Sequence, residues 1–221
     1  VYLTIASKYL LTYDGKHVFN PSMFGLAVSL LVSRDLISTA PAYQWGGNLA
    51  MTLFLVTTAL SLFVFRIGRT PLIASFLALY LLQILLRAWY LRWFIPVETL
   101  VLGTLSSAPF FLFVFYMITD PKTSPDSTRG QLGVAFALVF VDLVLHRLES
   151  VYTFFYAALI VGTARFLGLH GARVVREGPG AALARLLHRD TLRTWAVVGG
   201  LGLAMLGVYR TAIRPVVLPP P

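Results

Sequence analysis

Long apolar stretches separated by short polar turns make up most of this sequence. They predict helices over Trp45–Phe65, Pro71–Trp93 and Val97–Ile118, followed by a closely spaced pair over Gln131–Leu145 and Val151–Phe166. A helix needs about 20 apolar residues to cross a bilayer, and the first three stretches have that length. The pattern therefore predicts a polytopic membrane protein.

Two further apolar runs are shorter. Met23–Val32 follows a polar, turn-rich stretch and is too short for an ordinary span, so we predict a re-entrant or broken helix. Trp195–Tyr209 is a final short span whose glycines allow close helix contact. These glycines are Gly199, Gly200, Gly202 and Gly207.

Arginine dominates the segment before this last span. Over Ala181–Arg189 the leucines and arginines fall on opposite faces at helical spacing, which predicts a basic amphipathic helix on the membrane surface. The fold class is then all-α, with about six or seven transmembrane or re-entrant helices plus this surface helix. We divide the chain into a helical membrane domain over residues 1–170, a basic interfacial segment over 171–193, and a C-terminal helix with a proline-rich tail over 194–221.

Composition strengthens the membrane prediction. Of the 221 residues 57% are hydrophobic and 12% are charged, whereas a soluble domain has about 25% charged residues. The chain contains no cysteine, which excludes disulfides and cysteine-ligated metal centres within it. Its four histidines do not stand at metal-ligand spacing, so we expect no metal site.

The net charge of +9 would suggest nucleic acid in a soluble domain. Here the basic residues lie between apolar spans, so we expect contact with the lipid bilayer and no nucleic acid. If every run crosses once, most of the 18 lysines and arginines share the side that carries residues 119–130 and 173–193. The positive-inside rule makes that side cytoplasmic, with a smaller excess if Met23–Val32 is re-entrant.

Three polar features have alternative interpretations. The stretch Thr119–Gly130 combines acids, hydroxyls and two stiffening prolines, so it is either a rigid loop that helps to hold a cofactor or a gate, or an ordinary tight loop. The stretch Gly15–Ser22 forms either an anion site at a helix N-terminus or a structured turn. Asp142 lies inside a predicted span, where it either faces a functional partner or pairs at the interface with His146 or Arg147.

The order of several motifs suggests a family. Arg92–Val97, the phenylalanine-rich helix that follows and Tyr116–Pro125 resemble the Rnf-D membrane protein of the Rnf electron-transport complex and its counterpart in the sodium-translocating NADH:quinone oxidoreductase. Asn20-Pro21-Ser22 is similar to the Asn-Pro-Ala motif of both families. The resemblance extends over roughly Lys8–Phe166, and the variants look most like the short Rnf-D-like membrane proteins of enediyne gene clusters.

This resemblance implies a helical subunit of a redox complex in the bacterial cytoplasmic membrane, packed against other subunits. In the larger families a threonine in a Ser-Gly-Ala-Thr-like motif carries covalent flavin mononucleotide. The corresponding region here, Ser38–Trp45, lacks the Gly-Ala-Thr order, and Thr39 is its only threonine. The resemblance therefore implies a scaffold that binds flavin or quinone non-covalently, with Lys16 or Lys122 on an anionic group. The candidate binding residues are Lys16, Asn20, Thr39, Asp120, Lys122 and Thr123.

Two other functions stay open at this point. One is a purely structural subunit of a larger photosynthetic or respiratory assembly. The other is a transporter or channel for a small solute, built on the broken helices. The sequence contains no P-loop, nucleophile elbow or dinucleotide-binding motif, so it does not decide whether the protein is an enzyme.

Overall fold

The computed structural model describes residues 1–33, 48–61, 67–91, 94–148, 150 and 152–212. Within these ranges the chain forms ten helices and a two-stranded hairpin, which confirms the predicted all-α polytopic fold. The helices are α1 (Tyr2–Leu10), α2 (Pro21–Ser33), α3 (Leu49–Ala59), α4 (Thr70–Leu91), α5 (Val97–Leu105), α6 (Ala108–Leu112, continued by a π-helical turn over Phe113–Met117), α7 (Thr128–Arg147), α8 (Thr153–Glu177), α9 (Pro179–Leu186) and α10 (Arg189–Ala212).

The hairpin lies between α1 and α2. It pairs β1 (Thr12–Tyr13) antiparallel with β2 (Lys16–His17). Asp14 and Gly15 form its turn with φ angles of 49° and 74°. Two consecutive positive φ angles are what a type I′ two-residue hairpin turn requires, and Asp-Gly is a favoured pair for it.

Four helices in the described part of the chain are long and apolar enough to cross a membrane. They are α4, α7, α8 and the Arg189–Val208 part of α10. Helices α2 and α3 are shorter apolar helices, as the length of Met23–Val32 predicted for α2. The predicted span over Trp45–Phe65 extends beyond the described residues at both ends, and its described part contains α3.

The phenylalanine-rich span predicted over Val97–Ile118 is not continuous. It is broken into α5 and α6–Met117, which are bent by 54° relative to each other. The Ser107 hydroxyl caps α6 by accepting a hydrogen bond from Phe110 N at 3.4 Å, and Pro109 lies in the first turn. Serine and proline favour a helix start, so the bend has a local cause.

Helices α4 and α7 run in parallel and form the most extensive helix contact. Gln131 Oε1 accepts a hydrogen bond from Leu72 N at 3.2 Å, and Gln83 Nε2 donates to Asp142 Oδ2 at 2.7 Å. Both hydrogen bonds join residues 59 positions apart in the sequence, so α4 and α7 keep the same alignment along their contact. Helix α8 returns in the opposite direction, since few residues separate Arg147 from Thr153.

Aromatic rings fill the space between α4, the bent pair and α8. Phe76 and Tyr80 stack with ring centroids 5.5 Å apart, and Phe110, Phe113 and Phe154 surround them. Phe113 and Phe154 lie 5.0 Å apart. Aromatic pairs at these separations stabilise by about 0.5–1.5 kcal/mol beyond the burial of their area. The rings therefore hold the broken helix against two continuous ones.

Helix α8 continues across residue 170, the predicted end of the membrane domain, and ends at Glu177. Gly178 follows the helix and adopts a φ of 85°. Helix α9 overlaps the predicted amphipathic stretch over residues 181–186, and none of its residues is buried. Helix α10 touches α1, because the Tyr2 hydroxyl donates to the Val198 carbonyl at 2.6 Å. A Cβ at Gly202 would overlap the Tyr2 ring, so Gly202 makes the predicted close contact. The other three glycines of this helix face open space within the described structure.

Candidate functional site

The segment 118–127, here called the Asp-Pro loop, is folded around the backbone carbonyl of Asp120. That oxygen accepts hydrogen bonds from Thr123 N at 3.0 Å and Ser124 N at 2.9 Å, and from both side-chain hydroxyls. The Asp120 carboxylate accepts one from Lys122 N at 3.0 Å. Asp, Ser and Thr favour such local bonds, and Pro121 fixes its own φ. The loop is therefore a rigid turn.

Two arginines from other parts of the chain form hydrogen bonds with the Asp-Pro loop. Arg69, only 6% exposed, donates to the Pro121 carbonyl at 3.3 Å and to Asp126 Oδ1 at 2.7 Å. Arg165 of α8 donates to the Thr123 carbonyl. Guanidinium groups present several donors in a fixed geometry, which suits them to bridging carbonyls of a turn. The loop is thus fixed to the start of α4 and to α8.

The hairpin and α2 meet the same loop. His17 Nε2 lies 3.5 Å from Asp120 Oδ2. Asn20 accepts a hydrogen bond from Met23 N at 3.2 Å through its side-chain oxygen and donates to the Met117 carbonyl at 3.4 Å. Its amide therefore caps α2 and also satisfies a carbonyl at the end of the broken helix.

Positive charge concentrates around this end of the bundle. The hydrogen bond from Arg69 lowers the pKa of Asp126 below its ordinary value, and the charges of Arg69, Lys16 and Arg165 act in the same direction. Three cations from separate parts of the chain thus act on one carboxylate. The Asp-Pro loop is the point where the hairpin, α4, α6 and α8 come together.

The structure brings five of the six predicted site residues to this end of the bundle. Asp120 and Thr123 form the loop, Asn20 joins it to α2, and Lys16 and Lys122 are exposed beside it. Thr39 lies outside the described residues. Arg69 and Arg165 lie outside every predicted motif, because their contacts are long-range and no local pattern signals them. His17 and Asp126 lie within the predicted stretches Gly15–Ser22 and Thr119–Gly130 but were not among the predicted binding residues.

The cavity beside the loop is small. It measures about 70 Å³, and its polar lining comes from Asn20, Thr123, Ser124 and Arg165. Pockets that enclose a drug-sized ligand measure about 300–1,000 Å³, so this space has room only for water or a small ion. The described residues do not enclose a flavin here.

A second cavity is apolar. It measures about 270 Å³ between α2, α3, α6 and α8. Its described lining contains aliphatic and aromatic side chains and methionines, without a hydroxyl, amide or charged group. Its chemistry suits an acyl or prenyl chain. These lining residues are Leu26, Met51, Leu55, Ala108, Pro109, Leu112, Phe113, Met117, Phe154 and Phe155.

Among the described acids Asp142 is the buried one, with 2% of its surface exposed. It pairs with His146, whose Nδ1 lies 3.1 Å from Asp142 Oδ2, as one predicted alternative required. Arg147 instead stacks over the Tyr90 ring at 4.9 Å from its centroid. Gln83, which the sequence did not single out as a partner, supplies the other hydrogen bond to the carboxylate.

Comparison with known proteins does not assign this protein to a family. No protein-family model matches this sequence, and neither a search of curated proteins nor one of solved structures found a match. Among the described residues, no three His, Asp or Glu side chains form a group that could hold a metal ion.

Proposed function

We propose that this protein is a scaffold subunit of a membrane-bound redox complex. The observation that supports a scaffold is the Asp-Pro loop, whose polar groups bond to one another and to Arg69 and Arg165. A loop so fixed holds helices at set positions. The redox assignment comes from the resemblance to the Rnf and sodium-translocating families.

A flavin at the Asp-Pro loop needs a partner subunit to complete its site. The cavity beside the loop is too small for a flavin ring, whereas Lys16 and Lys122 are exposed and positively charged next to it. We expect these two lysines to contact an anionic group, such as a flavin phosphate, held at the interface. The apolar cavity between α3 and α8 is suited to a quinone tail.

The experiment is gentle purification from the native membrane, followed by a visible spectrum and mass spectrometry of the same sample. If the protein is a scaffold, it should co-purify with partner subunits in fixed stoichiometry. Any bound flavin should dissociate when the sample is denatured. A mass increment on the peptide containing Thr39 would instead make the chain a covalent flavoprotein. Recovery of a pure single chain in its native lipid, without redox partners, would contradict the proposal.

Charge-reversal variants test the contact surface of this proposal. Lys16→Glu and Lys122→Glu change exposed side chains, so we expect normal folding with loss of the anionic cofactor or of the partner. Lys8→Glu is the matched control, because Lys8 is an exposed lysine on α1 rather than in the hairpin or the Asp-Pro loop. Equal recovery of the complex with all three variants would exclude this surface.

A second candidate function is passage of a small solute. The observation that favours it is the 54° bend between α5 and α6, because broken helices line solute pathways in membrane transporters. Purified protein in liposomes should then release a trapped small polar solute such as urea. Release equal to that of protein-free liposomes would remove this candidate.

A further inference from the structure

A buried polar cluster lies at the opposite end of α4 and α7 from the Asp-Pro loop. Gln83 and Asp142 are each 2% exposed, and Gln83 donates to Asp142 Oδ2 at 2.7 Å. His146, one turn further along α7, places Nδ1 3.1 Å from the same oxygen. The same nitrogen lies 2.9 Å from the backbone carbonyl of Asp142. One carboxylate oxygen therefore faces two potential donors.

Two oxygens of this cluster are buried without a hydrogen-bond partner. They are Gln83 Oε1 and Asp142 Oδ1. Both are acceptors while Asp142 is ionised, so neither can satisfy the other. A buried acceptor left unpaired destabilises the fold, and more so when it carries charge. A proton on the carboxyl turns an acceptor into a donor and gives the amide oxygen a partner.

The surroundings also favour a neutral carboxyl. An aspartate charge within a transmembrane helix is energetically costly. Among the ion pairs of the described residues, Asp142 is matched only by His146. Arg147 lies against the Tyr90 ring. Protonation of Asp142 therefore removes a buried charge and supplies the donor that the Gln83 side-chain oxygen lacks.

Access to this cluster is available through a cavity of about 270 Å³ at the ends of α4 and α7. Its polar lining consists of Arg87 and Tyr90 on α4 and His146 and Arg147 on α7. The His146 side chain is 24% exposed and contacts Asp142 on its other side. Helix α8 also packs on α7, and the titratable side chain in its first three turns is Tyr156. His146 thus connects the cavity with the buried carboxyl.

We propose that Asp142 is a proton-binding site inside the membrane domain. The protonated carboxyl donates to the Gln83 side-chain oxygen, and His146 exchanges the proton with water in the cavity. On uptake, hydronium gives a proton to the imidazole and becomes water. The imidazolium then passes the Nδ1 proton to Asp142 Oδ2, the carboxylate oxygen that it faces, and the ring returns to neutral. Rotation of the carboxyl group about Cβ–Cγ brings the new hydroxyl to the Gln83 side-chain oxygen. This inference does not depend on the proposed redox role.

Infrared spectroscopy of the full chain in lipid nanodiscs tests the protonation state. At neutral pH we expect a carboxylic-acid C=O band that shifts when aspartate is labelled with ¹³C at its carboxyl carbon. The band should disappear in Asp142→Asn and persist in Asp190→Asn, whose aspartate is exposed on α10. Absence of an aspartic-acid band in the labelled wild-type protein would overturn the proposal without relying on any variant.

Two further variants test the partners. Gln83→Leu removes the hydrogen bond to Oδ2, so the C=O band should move to higher frequency; an unmoved band would contradict the Gln83 contact. His146→Phe keeps a ring of similar size but cannot carry a proton. The band should persist while its response to a pH jump slows, on the order of 100-fold as for loss of a positioned acid–base group. An unchanged response would exclude His146 as the route.

Discussion

At the scale of single residues, the Asp-Pro loop depends on Arg69. This side chain is buried, whereas 80% of the Asp126 side chain is exposed. Arg69 Nε is buried without a hydrogen-bond partner. The guanidinium therefore relies on its contacts with Asp126 and the Pro121 carbonyl. An exposed acid thus compensates a buried cation, which makes the loop sensitive to pH.

We predict that this pair stabilises the protein above the ordinary aspartate pKa of 3.8 and loses its effect at lower pH. The Arg69 hydrogen bond lowers the pKa of Asp126 in the folded state, so the unfolded chain takes up the proton first as pH falls. The thermal midpoint of wild type should exceed that of Asp126→Asn at neutral pH. The difference should vanish as pH falls through the lowered pKa.

Asp190→Asn is the control for this pH series, since Asp190 is exposed on α10 and lies outside the loop. It should not reproduce the difference. Equal midpoints of wild type and Asp126→Asn at neutral pH would show that the Arg69 contact does not stabilise the loop.

At the scale of helices, Gly25 lets α1 and α2 approach closely. A Cβ at this position would overlap the Thr4 side chain and lie 2.9 Å from the Thr4 backbone nitrogen. A backbone atom cannot swing aside as a flexible side chain can. Close approach at a small residue is a common way in which membrane helices associate.

We predict that Gly25→Ala destabilises the protein by about 1–3 kcal/mol, the usual cost of overpacking. Gly133→Ala is the matched control, because Gly133 lies within α7 and faces open space. There alanine should stabilise by up to about 1 kcal/mol through helix propensity. Reversible unfolding in mixed micelles measures both changes, and equal effects of the two substitutions would contradict the close contact.

Sequence and structure agree where one long apolar run decides the outcome, as in α4. They differ at the phenylalanine-rich segment, because Ser106, Ser107 and Pro109 interrupt a run whose average hydropathy stays high. Asn20 and Asp120 were found through local motifs. Arg69 and Arg165 were not, because they contact residues 52 and 42 positions away, and only the helix arrangement determines such contacts.

At the scale of the whole molecule, the segments that connect the helices lie at two opposite ends of the helix bundle. The hairpin, residues 67–69 and the Asp-Pro loop meet at one end through the His17–Asp120 and Arg69–Asp126 pairs. The turn after α7 lies at the other end, since α7 runs away from the loop. By the positive-inside rule, the first end should be cytoplasmic.

Labelling of single cysteines tests this arrangement, because the natural chain contains no cysteine. Lys16→Cys and Lys122→Cys should react with an impermeant maleimide from the same side of the membrane. Leu148→Cys, at a position 71% exposed after α7, should react from the opposite side. Reaction of Lys16→Cys and Lys122→Cys from opposite sides would contradict the contact between hairpin and loop.

The two glutamine contacts between α4 and α7 bear on how the chain assembles after insertion. Helices that enter lipid separately must choose an alignment later, and lipid tails compete equally with any apolar face. A slip of one turn, about 5.4 Å, would separate Gln131 from Leu72 and Gln83 from Asp142 together. Misaligned pairs would then leave two buried amides without these partners. Polar contacts thus act as a check on alignment that hydrophobic packing alone does not provide.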